Sequence, residues 1–219
     1  MLDNIYNHIK YPKTPHLPWS EKIGKDDTRI TFSDLSRFYT NIVITEKMDG
    51  ENFSLYSDSL HARSVDSLDH ISRHWVKKFH SEIKNHIPKN WRICGENLWA
   101  EHCIGYKDLP SFFLGFSIWD ENNICLSWQE TIEYFDLLGI KPVPVLYEGI
   151  IDNIDIFMKL ESIMNPNKSE GYVIRIAKEF HFNDFKFSTA KFVFDSFKPG
   201  INGHWLYNKE IKQNKMRKQ

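Results

Sequence analysis

The sequence has few cysteines, no long apolar run and almost no net charge, and each absence excludes a class of protein. Three cysteines among 219 residues, none in a C-x-x-C pair, form neither a disulfide framework nor a zinc knuckle. No apolar stretch approaches the roughly 20 residues that span a bilayer. Residues 1–18 lack the apolar core of a secretory signal behind a basic start. We therefore expect a cytoplasmic protein with no membrane span.

Charge of neither sign dominates. The 28 basic and 29 acidic residues give a formal net charge of −1, so no overall field attracts a polyanion. A local basic patch lies at residues 198–219. Such a run is typical of a solvated tail, and the alternative is a surface that contacts RNA phosphates. The residues of this patch that are candidates for RNA contact are Lys198, Trp205, Lys212, Lys215 and Arg217.

The remaining sequence is typical of one folded domain. It is 41% hydrophobic and 26% charged, and it contains no repeat, low-complexity stretch or Gly/Ser-rich linker. We predict a single domain at residues 1–205 and a basic tail at residues 206–219, with no OB-fold or other C-terminal domain.

Short strand-like segments outnumber helical ones. We predict strands near residues 42–45, 53–56, 91–97, 112–119, 143–147, 171–176 and 191–194, and helices near 75–87, 128–138 and 154–164. Asp49 and Gly50 separate the first two strands, a pair typical of a type I′ hairpin. The proline-rich residues 11–18 predict an irregular segment over the core. Because helices do not regularly separate the strands, we predict an α+β fold with largely antiparallel sheets flanked by short helices.

Lys47 is the candidate nucleophile. Considered alone, residues 45–56 are most simply interpreted as a common hairpin turn with a solvated lysine. Attack by an amine on the α-phosphorus of a nucleotide needs a deprotonated lysine, cations on the phosphate oxygens, a metal on the pyrophosphate and a seat for the nucleoside. The chain offers a candidate for each requirement: the carboxylates of Glu96 and Glu170, the cations of Arg63, Lys186 and Lys191, and the ring of Phe116.

Taken in order, these residues resemble the motif ladder of the covalent nucleotidyltransferases, the superfamily of polynucleotide ligases and mRNA capping enzymes. The ladder comprises Lys-x-Asp-Gly at 47–50, HARS, RICGENLWAEH, GFSIWD, EGYVIRI and the lysine of STAKFVF. The chain is most similar to ATP-dependent RNA ligases related to phage RNA ligase 2. In particular, Asn52 stands where DNA ligases and capping enzymes usually have an arginine. The likeness covers roughly residues 11–205.

The resemblance implies a reaction and a role for each residue. Lys47 would form a lysyl-AMP intermediate from ATP, AMP would pass to an RNA 5′-phosphate, and a 3′-hydroxyl would seal the strand. A divalent metal, Mg²⁺ or Mn²⁺, would bind at Glu170, and Lys191 and Arg63 would contact phosphate. The substrates would be RNA ends, in nicked duplex or broken structured RNA. The nucleotide-binding residues implied in the same way are Glu46, Asn52, Glu96, Phe116 and Lys186.

One departure from the family leaves alternatives open. After Lys191 the chain continues through Phe192 and Val193 to Phe194, where similar ligases tend to have arginine; Lys198 or the tail would compensate. The alternatives are a minimal DNA ligase, a capping-type guanylyltransferase, and a catalytically inactive relative that binds RNA ends. If the tail binds RNA, its removal is expected to weaken end joining and leave self-adenylylation largely intact.

Overall fold

The computed structural model describes residues 8–64, 69–197 and 211–218. Its strands are β1 (Asn41–Glu46), β2 (Glu51–Leu55), β3 (Leu60–Ala62), β4 (Arg92–Asn97), β5 (Phe113–Trp119), β6 (Ile124–Cys125), β7 (Lys141–Pro142), β8 (Val145–Ile150), β9 (Gly171–Ile176), β10 (Phe180–His181) and β11 (Thr189–Val193). Its α-helices are α1 (His74–Ile83), α2 (Trp128–Leu138), α3 (Asp155–Ile163) and α4 (Phe185–Ser188). Within the described ranges, no helix has the length and apolarity needed to cross a membrane.

The strands form two sheets. The first has the order β11–β9–β1–β8, and the second has the order β10–β6–β5–β4–β2–β3 with β7 added beside β5. Every pair in the described part of the chain is antiparallel except β5 with β7. The predicted α+β fold with largely antiparallel sheets is therefore confirmed.

The predicted hairpin at Asp49 and Gly50 is wrong, because β1 and β2 lie in different sheets. β1 pairs with β8 and β9, whereas β2 pairs with β3 and β4. The described glycines with positive φ are Gly139, Gly149 and Gly171, so Gly50 does not adopt the φ of a type I′ turn. Residues 47–50 instead cross from one sheet to the other.

The main apolar cluster includes side chains of both sheets, among them Ile44 of β1 and Cys94 of β4. Within it, the fully buried Tyr172 stacks on Phe192, with ring centroids 5.1 Å apart, and on Phe157 of α3 at 6.3 Å. A second cluster packs Val76 of α1 and Phe135 of α2 against the second sheet. Each such side chain contributes about 1.5–3 kcal/mol through burial, so both sheets are firmly held.

Two segments outside the sheets, residues 11–18 and 211–218, pack against the rest of the fold. The irregular N-terminal segment covers the core as predicted, since Leu17 is fully buried and its amide bonds to the Lys191 carbonyl at 2.8 Å on the edge of β11. Residues 211–218 lie against the loop 98–109. The division at residue 205 stays a prediction, because it falls outside the described ranges.

Candidate active site

A cavity of about 550 Å³ lies between the two sheets, within the range of small-molecule sites. Glu170 does not line the cavity, but it contacts Lys47, which does. Lys186 does not line it, and its ammonium lies 4.8 Å from the ring centroid of Phe187. Lys198 and Trp205 lie outside the described residues. The predicted site residues that line the cavity are Glu46, Lys47, Asn52, Arg63, Glu96, Phe116 and Lys191.

Backbone hydrogen bonds fix the segment that carries Lys47. The Lys47 amide donates to the Gly171 carbonyl at 2.9 Å. Two residues later, the Asp49 amide donates to the Tyr106 hydroxyl at 2.9 Å. A Cβ on Gly50 would lie 2.6 Å from the Asn97 carbonyl oxygen, so glycine is needed here for close approach rather than for a special φ. The segment is thus tied to both sheets.

The ammonium of Lys47 contacts a buried carboxylate. Its Nζ lies 2.5 Å from Oε2 of Glu170, whose side chain is only 9% exposed. Burial acts to lower the pKa of Lys47, but the negative charges of Glu170, Glu96 and Asp49 outweigh it and raise that pKa. Lys47 is therefore protonated in this state, and it becomes a nucleophile only when the field of these acids is neutralised.

An acidic and an amide side chain from the second sheet line the same cavity as Lys47. Glu96 of β4 stands opposite Asn52 of β2 in the register. Burial and the neighbouring carboxylates Glu170 and Asp49 raise the pKa of Glu96 to about 8. Among the described residues, no group hydrogen-bonds to the buried Oδ1 of Asn52. A buried acceptor without a partner is costly, so this atom is suited to receive a donor from a ligand.

Lys191 lies on the other side and is held by a hydrogen-bonded network. Its Nζ lies 3.3 Å from Oδ2 of Asp27, and the same oxygen lies 3.1 Å from Nε2 of His16. Burial and nearby cations lower the pKa of His16 to about 4. The neutral ring therefore donates from Nε2 to Asp27, while its Nδ1 accepts from the Ser20 hydroxyl at 2.7 Å. That hydroxyl accepts the Val193 amide at 3.0 Å.

The three arginines that line the cavity, Arg63, Arg73 and Arg175, differ in how they are engaged. The amide of Arg63 donates to the Asn52 carbonyl at 2.9 Å, and its buried Nε has no hydrogen-bond partner within the described ranges. Arg73, which sequence reasoning missed, is buried and forms a forked pair with Glu51, its Nε lying 3.0 Å from Oε2. Arg63 thus retains a donor for a ligand, as does Arg175, whose buried Nη1 also has no hydrogen-bond partner within the described ranges.

An aromatic pair forms part of the cavity wall. Phe116 is partly buried, and its ring meets that of Tyr11 edge to face, with centroids 5.2 Å apart. Both residues line the cavity. Tyr11 comes from the proline-rich segment, so sequence reasoning placed it only as covering the core. A purine would find an apolar face here, in the cavity that Asn52 with its unpartnered acceptor also lines.

The candidate RNA-contact residues of the C-terminal segment lie on its outer side. Lys212, Lys215 and Arg217 are exposed. Arg217 forms an ion pair with Asp108, with 2.8 Å between Nη2 and Oδ2, and both side chains are 65% exposed. Exposed pairs of this kind are worth about 0–1 kcal/mol, so RNA phosphate would compete readily for the guanidinium.

The comparisons with known proteins agree with this geometry. A family model described as RNA ligase matches residues 40–193. An archaeal ATP-dependent RNA ligase superposes with a TM-score of 0.53 at 17% identity, covering 76% of this chain and 46% of the ligase. A Naegleria gruberi RNA ligase variant with ATP and Mn has a TM-score of 0.51 at 17% identity, covering 75% and 52%.

The similarity has definite bounds. At this identity the two ligase structures share the fold with this chain, and the chain spans about half of their length. No curated protein sequence matches it. The family match includes the segment 47–50, Glu96, Glu170 and Lys191.

Proposed function

The chain belongs to the RNA ligase family, whose model matches most of it, and we propose that it is an ATP-dependent RNA ligase acting through a lysyl-AMP intermediate. One observation carries the proposal: the amine of Lys47 lies in a cavity between two sheets, against Glu170 and close enough to Lys191 for the two cations to interact. A lysine so placed can meet both a nucleotide and an RNA end.

The first step is attack on ATP. The Lys47 amine, once deprotonated, forms a bond to the α-phosphorus, and the bond to the bridging oxygen of pyrophosphate breaks. Lys191 and Arg63 neutralise the phosphate oxygens in the transition state; losing one such preorganised donor costs roughly 10²–10³ in rate. The leaving pyrophosphate carries away the electron pair, and the proton of the amine goes to solvent.

A divalent cation fits the acidic side of the site. Burial and the nearby Asp49 raise the pKa of Glu170, although Lys47 opposes them, so a cation bound at this carboxylate would favour its charged form. Within the described residues, no three His, Cys, Asp or Glu side chains form a ready-made metal cage. Mg²⁺ commonly binds through one or two carboxylates together with substrate phosphates. When bound at Glu170, the metal would neutralise charge beside Lys47 and on the pyrophosphate.

The nucleoside would occupy the opposite side of the cavity. Glu96 would accept the ribose hydroxyl, and Phe116 would cover one face of adenine. Asn52 Oδ1 would accept the adenine amino group. Glu46 lies at the same wall, where burial raises its pKa and a hydrogen bond with Ser169 opposes that effect. The Glu46 carboxyl would add a further hydrogen-bonding group to this set.

Two further transfers complete the reaction. A 5′-phosphate oxygen of RNA attacks the phosphorus of lysyl-AMP and releases the Lys47 amine. The 3′-hydroxyl then attacks the RNA phosphate and releases AMP. All three steps reuse one set of cations, so the protein contributes positioning and charge neutralisation. We propose RNA repair in the cytoplasm as the setting, which suits the buried thiols of Cys94 and Cys125.

The test is intact-mass spectrometry after incubation with ATP and Mg²⁺ or Mn²⁺. Wild type is expected to gain the mass of one AMP, and Lys47→Ala is expected to gain none. Lys78→Ala is the matched control, since that lysine is exposed on α1 and does not line the cavity, and it should gain AMP at the wild-type rate. Equal labelling of Lys47→Ala would contradict the proposal.

Parallel reactions separate the alternatives. GTP in place of ATP tests the guanylyltransferase, and nicked DNA beside nicked RNA tests the DNA ligase. Labelling by ATP with sealing of RNA alone supports the proposal. No labelling by either nucleotide, together with retained binding of RNA ends, would identify the inactive relative instead.

A further inference from the structure

Residues 211–218 lie between the two limbs of the loop 98–109, which are residues 98–101 and residues 106–109. On one limb, the Asn214 amide donates to the Trp99 carbonyl at 3.0 Å, and the Glu101 amide donates to the Lys212 carbonyl at 2.8 Å. On the other limb, the Lys215 amide donates to the Tyr106 carbonyl at 2.9 Å. The segment therefore adds backbone pairing to both limbs and holds them together, although more than 100 residues separate it from them in sequence.

Asn214 is the buried residue at the centre of this contact. It is 2% exposed, whereas Gln213 and Lys215 beside it are exposed. Its Nδ2 donates to the carbonyls of Leu98 and Ala100 at 2.8 and 3.1 Å, and its Oδ1 accepts the Tyr106 amide at 2.8 Å. One side chain thus satisfies buried groups on both limbs, and these groups would lose their partners without it.

The same loop holds the segment that carries the nucleophile. The amides of Cys103 and Ile104 both donate to Oδ2 of Asp49, at 2.7 and 2.8 Å. The hydroxyl of Tyr106 accepts the Asp49 amide at 2.9 Å. A continuous set of hydrogen bonds therefore runs from Asn214 through the loop to Asp49, two residues from Lys47.

We propose that Asn214 is a positioning residue for adenylylation, acting through the loop 98–109 on Asp49 and thereby on Lys47. The inference rests on the proposed function of Lys47. It makes the C-terminal segment a part of the adenylylation site, in contrast to the sequence expectation of a tail whose removal leaves self-adenylylation intact. Misplacing a reacting group by about 1 Å can cost on the order of 10²-fold in rate. Asn214 acts on the amine only through the loop, so we expect its loss to have a smaller effect.

The experiment compares single-turnover rates of AMP transfer to the full-length enzyme at saturating ATP. Asn214→Ala is expected to slow the reaction about tenfold. Gln213→Ala is the matched control, because it removes an exposed amide side chain from the same segment, and it should react at the wild-type rate. A wild-type rate for Asn214→Ala would overturn the inference, and absence of labelling in wild type would overturn both it and the proposed function.

A double-mutant cycle separates positioning from a general loss of structure. Asp49→Ala removes the acceptor through which the loop acts, so adding Asn214→Ala to it should slow the reaction about threefold or less. A full tenfold effect in both backgrounds would overturn the inference. If Asn214→Ala does not fold, Tyr106→Phe tests the same path by removing only the hydroxyl that accepts the Asp49 amide. It should slow adenylylation severalfold at a temperature where the variant remains folded, and an unchanged rate would overturn the inference.

Discussion

Gly171 connects the metal-binding candidate Glu170 to β9, and we predict that Gly171→Ala disables the protein. The residue has φ of +149°, a region that essentially only glycine occupies. A Cβ there would lie 2.0 Å from the carbonyl oxygen of Phe192 and 2.8 Å from its carbonyl carbon. These atoms belong to the backbone of β11, which is paired with Gly171 through Val193. Relief therefore requires the two strands to move apart by more than 1 Å.

The expected loss of stability is the sum of two effects. Forcing alanine into this φ costs about 1–3 kcal/mol, and overpacking costs about 1–3 kcal/mol more, which gives about 4 kcal/mol in total. Native domains are stable by only about 5–15 kcal/mol. Because the Gly171 carbonyl also accepts the Lys47 amide, the same shift moves the nucleophile. We expect adenylylation to fall at least a hundredfold.

Gly139→Ala is the matched control. Gly139 also has a positive φ, +67°, but a Cβ there would meet no described atom within 4 Å. It should therefore cost only the left-handed backbone penalty, about 1–2 kcal/mol, and leave adenylylation unchanged. Urea unfolding followed by the fluorescence of the seven tryptophans measures both variants. The reasoning is refuted if Gly171→Ala is within about 1 kcal/mol of Gly139→Ala.

Three further predictions concern the walls of the cavity. Asp27→Asn should lower the maximal adenylylation rate about threefold to tenfold without raising KM for ATP, because Lys191 loses its anchor while the phosphate side becomes more positive. The pKa of Glu96 is raised to about 8 in the folded protein, so folding stability should fall as pH rises from about 5 towards 8; urea unfolding of Glu96→Gln should show a flatter profile. Phe116→Ala should raise KM for ATP about tenfold, measured by initial rates of labelling, since base stacking contributes about 1–3 kcal/mol.

The sequence was most informative where a local pattern and a buried face coincide. The predicted helices at 128–138 and 154–164 match α2 and α3, and most strands match within a few residues. The hairpin failed because Asp49 and Gly50 report only that the chain can turn. Which strands then pair is decided by long-range packing, and here β1 and β2 belong to different sheets.

The candidate site shows the same limit. The motif ladder placed seven residues on one cavity, because ordered motifs carry information that single residues lack. It gave no signal for Asp27, His16 or Arg73, whose roles come from contacts with residues far away in sequence. It also gave no signal for Asn214, a buried amide within a run of charged residues that is otherwise typical of solvent.

The crossing at residues 47–50 has a consequence for the protein as a whole. Lys191 lies in the first sheet and Glu170 directly precedes its strand β9, whereas Asn52 and Glu96 lie on the second sheet, so a bound nucleotide would contact both sheets. ATP would then add contacts that hold the two sheets together. At a free concentration a hundred times its Kd, such a ligand stabilises the folded state by about 2.7 kcal/mol. The nucleotide-bound protein would therefore resist unfolding more than the free protein.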